Sequence, residues 1–425
     1  MLEESLLPNG LRIVSNRIQG RDSIGLAIWV RVGGRHERKR LSGISHFVEH
    51  MLFKGTKTRS TKRIKEEVEG VGGTMNAFTG EESTCYFVKI PKQHLEAAFD
   101  VLQDMVSHAI LKPEEVGKER TVILEEIKMY LDQPSHHVHE LMSELLWPNH
   151  ALGRPIAGTI QTVSEIRRSD LAHHIGSYYH PGNLLVTACG DLSHDQIHSL
   201  AEGFFRERNK KPSSTFKSVR GKSASPKELR ILFLEKKTEQ THFVIGFHGL
   251  PRTHPARYQL AVLHVILGGN MSSRLFEEVR ERRGLAYEIR SSTSFFEDSG
   301  AVLISAGVEP EKAPFAIRVI MRELDRLKRK LVPEEELKRA KEYFLGQLLL
   351  GLEDTLDNIL WYGERVLYDG SLPTVEEIQR EIEKVTARDI QLLVKQIFRD
   401  QYIHLSLIGP LNGRYERKIR AETAL

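Results

Sequence analysis

The sequence predicts two homologous domains that each combine α-helices with β-strands. Two observations carry this reading. The segment from Asn209 to Lys227, NKKPSSTFKSVRGKSASPK, is basic, rich in Ser, Pro and Gly and nearly free of large apolar residues, so it reads as a linker dividing the chain almost in half. The flanking halves also repeat: SDLAHHIGSYYHPGNLLVTACGDL (Ser169 to Leu192) has the layout of RDIQLLVKQIFRDQYIHLSLIGPL (Arg388 to Leu411), and Asp170 and Asp389 stand 219 positions apart. The predicted segments are therefore 1–208, a linker at 209–227, and 228–425.

Taken in order, the elements support the repeat. SIGLAIWVRV (Ser23 to Val32) and THFVIGFHGL (Thr241 to Leu250) are strand-like runs opening each half, within a residue of the same offset. TMNAFTGEESTCYFVKI (Thr74 to Ile90) alternates about Gly80-Glu81-Glu82 and predicts a hairpin. Helical periodicity follows in His94 to Leu111 and in Pro113 to Asp132, the latter with proline in its first turn. Each repeat closes with a helical segment, a short turn and a strand, LLVTAC or IHLSLI, that ends in glycine. From the residues alone these are α/β domains.

The chain has 425 residues, 40% hydrophobic and 28% charged, the make-up of a folded protein larger than one usual domain. A formal charge of +4 is too small at this length to argue for nucleic acid. Cys85 and Cys189 lie in apolar alternating runs without C-x-x-C spacing, which predicts buried, reduced thiols and a reducing compartment. MLEESLLPNGLRIVSN has neither a basic n-region nor an apolar h-region, and no run of 18 apolar residues occurs, so the expectation is a cytoplasmic protein with no membrane partner.

Chemistry concentrates in SGISHFVEHMLFKGT (Ser42 to Thr56), which reads as a helix entered through Ser42. His46 and His50 are four positions apart on one face, close enough for two imidazoles to meet one ion. Glu49 adjoins them and can reach a water on that ion without being a ligand. This is the H-x-x-E-H order of the inverzincins. A catalytic zinc takes three protein ligands, so a third is expected on another rigid element. The helix from Pro113 to Asp132 offers Glu119, Glu125 and Glu126. Glu126, bracketed by Ile123, Ile127 and Tyr130, is the candidate; a solvated acidic face is the alternative.

With SHFVEHMLFKGT, TMNAFTGEEST, KERTVILEEIKMYLDQP, LGRPIAGT, YYHPGNLLVTACGDL and GGNMSSRLFEEVRERRGLAY in this order, essentially the whole chain resembles the pitrilysin-type M16 peptidases, close to their processing-peptidase branch. The resemblance implies an α+β fold, twice per chain, with a mostly antiparallel β-sheet packed with α-helices, and a clamshell homodimer enclosing a chamber. It implies one Zn2+ per chain on His46, His50 and Glu126, with Glu49 as general base and Glu119 as a supporting carboxylate. The family's arginine and tyrosine fall on Arg280 and Tyr287, the tyrosine donating to the oxyanion, and the peptide substrate would pair with the strand near Asn76 and Ala77. At the repeat offset His46, Glu49, His50 and Glu126 become Val265, Gly268, Gly269 and Leu345, so the second half is expected to lack a metal site. His136, His137 and His139 depart from the family pattern and read as surface residues. The implied activity is that of a zinc metalloendopeptidase acting on short or unfolded peptides. The alternatives within the resemblance are a non-catalytic scaffold and one subunit of a heterodimeric peptidase.

Overall fold

The computed structural model of the chain describes residues 2–205, 218, 230–370, 372–399, 402–410 and 413–422. The expected linker lies outside them except for Ser218. Among the described residues no helix is long and apolar enough to cross a membrane.

The first compact unit comprises Met1–Lys128, Arg154–Lys217 and Leu350–Leu372. Its sheet contains β1 (Leu2–Leu6), β2 (Arg12–Arg17), β3 (Ser23–Val30), β4 (Thr74–Thr79), β5 (Thr84–Pro91) and β6 (Leu184–Gly190), in the order β1-β2-β6-β3-β5-β4. The hairpin read from the alternation is β4–β5. Every neighbouring pair is antiparallel except β2–β6. All seven residues of β6, LLVTACG, are buried, as suits an apolar run flanked by strands on both sides.

The second unit comprises Met129–Gly153, Ser218–Leu349 and Pro373–Leu425. Its strands are β7 (Arg230–Glu235), β8 (Thr241–His248), β9 (Ala286–Phe295), β10 (Gly300–Val308) and β11 (His404–Gly409), in the order β7-β11-β8-β10-β9, with only β11–β7 parallel. Apart from β1 the two orders are the same, so the sequence repeat is a repeat of topology. Predominantly antiparallel pairing makes each unit α+β and corrects the α/β reading drawn from the residues alone. Helix and strand periods say nothing about strand direction.

The compact units also differ from the contiguous segments 1–208 and 228–425, because each contains a helix from the other half. The helix Pro134–Leu146 packs on β8 and β11, and the helix Thr355–Asp369 packs on β3 and β6. Both contacts pass through glycine. A Cβ on Gly246 would stand 2.3 Å from the Met142 sulfur, and one on Gly363 would stand 2.2 Å from the Trp29 indole nitrogen. Trp29 cannot readily yield, since it is buried and its Nε1 donates to Thr187 Oγ1 at 3.1 Å. Around it Val14, Ala27, Cys85, Leu185, Cys189, Ile359 and Val366 form one apolar cluster.

Gly363→Ala is expected to push the Thr355–Asp369 helix off β3 and cost about 1–3 kcal/mol, as overpacking of a filled core does. A thermal scan should register this as a lower midpoint. An unchanged or raised midpoint would show that the helix does not bear on Trp29 this closely.

Candidate metal centre

The site is built on helix α1, Ile44–Leu52, where Ile44, Ser45, Phe47, Val48, Met51 and Leu52 are buried and His46, Glu49 and His50 share the opposite, half-buried face. Ser42 is not its cap: the Ser42 hydroxyl is buried without a partner among the described residues. Instead the carboxylate of Glu37 accepts the backbone N–H groups of Gly43 and Ser45, each at 2.8 Å. Burial pushes the Glu37 carboxyl up to about 7, against the pull of these donors and of Arg154. Gly43 turns the chain into the helix at φ 94°, where a Cβ would meet Ala157 O at 2.6 Å, so this position requires glycine.

The second wall is the helix Pro113–Asp132, which has the bounds read from the sequence. It brings Glu126 to the imidazoles: one ligand atom from each of His46, His50 and Glu126 falls within 4.8 Å of the others, and among the described residues no other three-residue group does so. Glu126 Oε2 is 3.8 Å from His46 Nε2 and 3.6 Å from His50 Nε2. These separations are too long for hydrogen bonds, and they approach the spacing of about 3.4 Å between ligands of one tetrahedral zinc with bonds near 2.05 Å. The two rings meet edge to face at 4.6 Å. Burial, with a lesser contribution from His50, lowers the His46 pKa to about 4, so it is neutral at pH 7 as a metal ligand must be. Glu125 points elsewhere: its side chain is 66% exposed and pairs with Lys128 at 2.7 Å. The donor set of two imidazoles and one carboxylate therefore fits a zinc ion.

Glu49 Oε2 accepts the hydroxyl hydrogen of Thr79 at 2.6 Å. Burial raises the Glu49 pKa, and the Thr79 bond and His50 work against that rise. Glu119 is buried and in contact with His50, its Oε2 standing 3.1 Å from Nδ1. Asn76 and Ala77 lie on β4, the edge strand of the first sheet, where the Asn76 carboxamide accepts the Ala77 N–H at 2.9 Å. Thr79 ends that same strand. Sequence reasoning missed it, because a threonine closing a strand carries no signal of its own.

Arg280 and Tyr287 belong to the second unit, where the structure brings them together. The Arg280 guanidinium lies 4.9 Å from the Tyr287 ring centre and 4.7 Å from that of Phe276, and Tyr287 is 78% exposed at the start of β9. Of the three histidines expected at the surface only His136 is exposed. His137 and His139 are half-buried, and burial lowers the pKa of both, that of His139 to about 4. They flank the buried Val138 of an amphipathic helix on either side, which is why they are only partly at the surface.

The chain is similar to known proteins over nearly its whole length. Residues 12–160 match the family model described as insulinase (peptidase family M16), and residues 165–344 match the peptidase M16 inactive domain. An uncharacterised zinc protease of Bacillus subtilis is 38% identical over 410 residues, covering 96% of this chain and 98% of its own. Another from Streptomyces coelicolor is 35% identical over 426 residues, covering 100% and 93%. Among solved structures, a protease from Helicobacter pylori superposes with a TM-score of 0.90 at 22% identity over 96% of this chain and 99% of its own, which is a likeness of fold. A peptidase M16 inactive domain from Pseudomonas fluorescens gives 0.89 at 18% identity over 97% and 98%. The chain belongs to peptidase family M16.

Two pairs of substitutions test the site. Glu126→Gln is expected to reduce bound zinc sharply while Glu125→Gln keeps one equivalent, measured by metal analysis after dialysis; the reverse pattern would move the third ligand to Glu125. Thr79→Val should lower peptide turnover about 10-fold or more with zinc content intact, and Thr79→Ser should restore most of it, because only the hydroxyl holds Glu49. Full turnover in the valine variant would remove Thr79 from the site.

Proposed function

We propose that this chain is a zinc metalloendopeptidase of the inverzincin type (EC 3.4.24) that hydrolyses short or unfolded peptides. The observation that carries the reading is the convergence of His46, His50 and Glu126 with Glu49 beside them. His46, His50 and Glu126 would hold the zinc ion, which when bound would supply Lewis acidity for a peptide carbonyl and lower the pKa of water toward neutrality. Glu49 takes the proton of the attacking water through the oxygen that Thr79 does not hold, and passes it to the leaving amine nitrogen. The substrate adds as a strand to the edge at β4, displacing the Asn76 carboxamide from the Ala77 N–H; pairing of this kind reads little sequence and supports broad specificity. The phenol of Tyr287, exposed and backed by Arg280, donates to the developing oxyanion.

The second half carries Val265, Gly268, Gly269 and Leu345 at the positions of the metal residues, in keeping with the inactive-domain match. We therefore assign it the supply of Arg280 and Tyr287 within a clamshell homodimer whose chamber selects for size and unfoldedness. Both cysteines are free and buried, which supports a reducing, cytoplasmic location.

Glu49→Gln should retain zinc and lose turnover of a quenched unfolded peptide, and a chelator should abolish wild-type cleavage. A wild type that holds zinc yet cuts no unfolded peptide would favour the scaffold reading. Co-expression of Glu49→Gln with Tyr287→Phe tests whether Tyr287 serves the zinc of the other chain. Random assembly then gives mixed dimers with one intact site each, and activity should recover to about a quarter of wild type. With mixed dimers confirmed by native mass, activity equal only to the average of the two single variants would refute the cross-chain arrangement.

A further inference from the structure

The two histidines of the cluster are not supported alike. Nδ1 of His46 is buried and has no hydrogen-bond partner among the described residues. Nδ1 of His50 faces Glu119 Oε2 at 3.1 Å, and the other oxygen of that carboxylate, Oε1, lies 2.5 Å from Lys54 Nζ. Glu119 is 5% exposed and the Lys54 side chain 25%, so this chain of three groups is largely shielded from water. Lys54 stands four residues after His50, just beyond the end of α1, and its backbone N–H donates to Met51 O at 3.0 Å. That return of the chain lets its ammonium reach Glu119 of the Pro113–Asp132 helix, the carboxylate that also faces the His50 ring.

A carboxylate turns about its own bond and can aim at a ring nitrogen from many angles. With Oε1 held by an ammonium, the turn is stopped and Oε2 is left directed at Nδ1. A ring nitrogen that faces a carboxylate carries the proton, which fixes the tautomer and leaves the lone pair on Nε2, the atom 3.6 Å from Glu126 Oε2. The cationic head also sets a positive charge against a site crowded by Glu49, Glu119 and Glu126. Among the described residues no comparable chain reaches His46 Nδ1, so the support of the pair from outside the site lies on the His50 side.

We propose that Lys54 is a positioning residue of the metal centre: its ammonium locks Glu119 so that His50 presents Nε2 to the ion. This rests on the zinc reading of the cluster given above. It differs from an ion pair that merely ties two helices together, because it acts on affinity for the metal rather than on folding.

The test is the zinc dissociation constant of the purified full chain, measured by competition with a chromogenic chelator, for wild type, Lys54→Met, Lys54→Gln, Lys54→Arg, His50→Ala and Lys118→Met. Lys118 is an exposed partner of Glu115 on the same helix as Glu119 and serves as the neutral control. Lys54→Met and Lys54→Gln should bind zinc about 10- to 100-fold more weakly, the usual effect of losing support behind a ligand. Lys54→Arg should return to within a few-fold of wild type, and Lys118→Met should match it. The metal-free melting point of Lys54→Met should stay within about a degree or two of wild type, and the visible spectrum of its cobalt-loaded form should differ. A wild-type zinc constant in both neutral variants, with His50→Ala weakened, would overturn the role of Lys54 and leave the cluster standing. Weak binding in Lys54→Arg as well, with a lower metal-free melting point throughout, would reduce Lys54 to a structural anchor. Zinc bound as tightly by His50→Ala as by wild type would bring down the cluster reading itself, and this proposal with it.

Discussion

Everything the site can do depends on how helix α1 is held against the helix Pro113–Asp132. Three ligand atoms from residues up to 80 positions apart converge within 4.8 Å, and a shift of about 1 Å in either helix would undo that. The hold on the helix is applied at the start of α1, and the ring of His50 is aimed at its end. At its start the Glu37 carboxylate takes the N–H groups of Gly43 and Ser45, while Gly43 admits the chain past Ala157. At its end Lys54 pairs with Glu119 of the facing helix, and Glu119 in turn faces His50. Between these ends the apolar face of α1 is buried, which leaves the chemical face little freedom to turn.

The same logic extends to Glu49. Glu49 carries a carboxyl that burial favours in its neutral form, and the Thr79 hydroxyl opposes this by donating to it. Because Thr79 ends β4, that edge strand is covalently continuous with the hydroxyl bonded to Glu49. Behind both lies a sheet whose central strands are covered by a helix drawn from the other half of the chain, seated on Trp29 through Gly363. The second unit repeats this scaffold and seats its exchanged helix on Gly246, yet it has an apolar residue or glycine at each position of the candidate metal site. A duplicated fold has thus kept its packing and diverged in its chemistry.

What could be read from the sequence follows from the range of the forces involved. The β4–β5 hairpin and the helix Pro113–Asp132 were legible because alternation, proline at the first turn and helical period are local. His46, Glu49 and His50 were legible because a helix converts spacing into a shared face. The choice of Glu126 over Glu125 followed from its apolar neighbours, and the exposed Glu125–Lys128 pair agrees with it. Other features were not readable. Periodicity reveals that Pro134–Leu146 and Thr355–Asp369 have an apolar face but not which sheet it covers. It likewise gave α/β where strand direction makes the units α+β. Ser42 looked like a cap by type and place, but a carboxylate from outside the helix segment took the N–H groups instead. Thr79 and Lys54 act only through partners brought close by folding.

The central claim is that His46, His50 and Glu126 hold one zinc ion. Anomalous diffraction from crystals of the purified protein, recorded on either side of the zinc absorption edge, tests it directly. The account predicts one anomalous peak per chain, about 2 Å from a nitrogen of each imidazole and from a Glu126 carboxylate oxygen, present above the edge and lost below it. A fully occupied zinc peak elsewhere in the chain, with these three side chains uncoordinated, would contradict it.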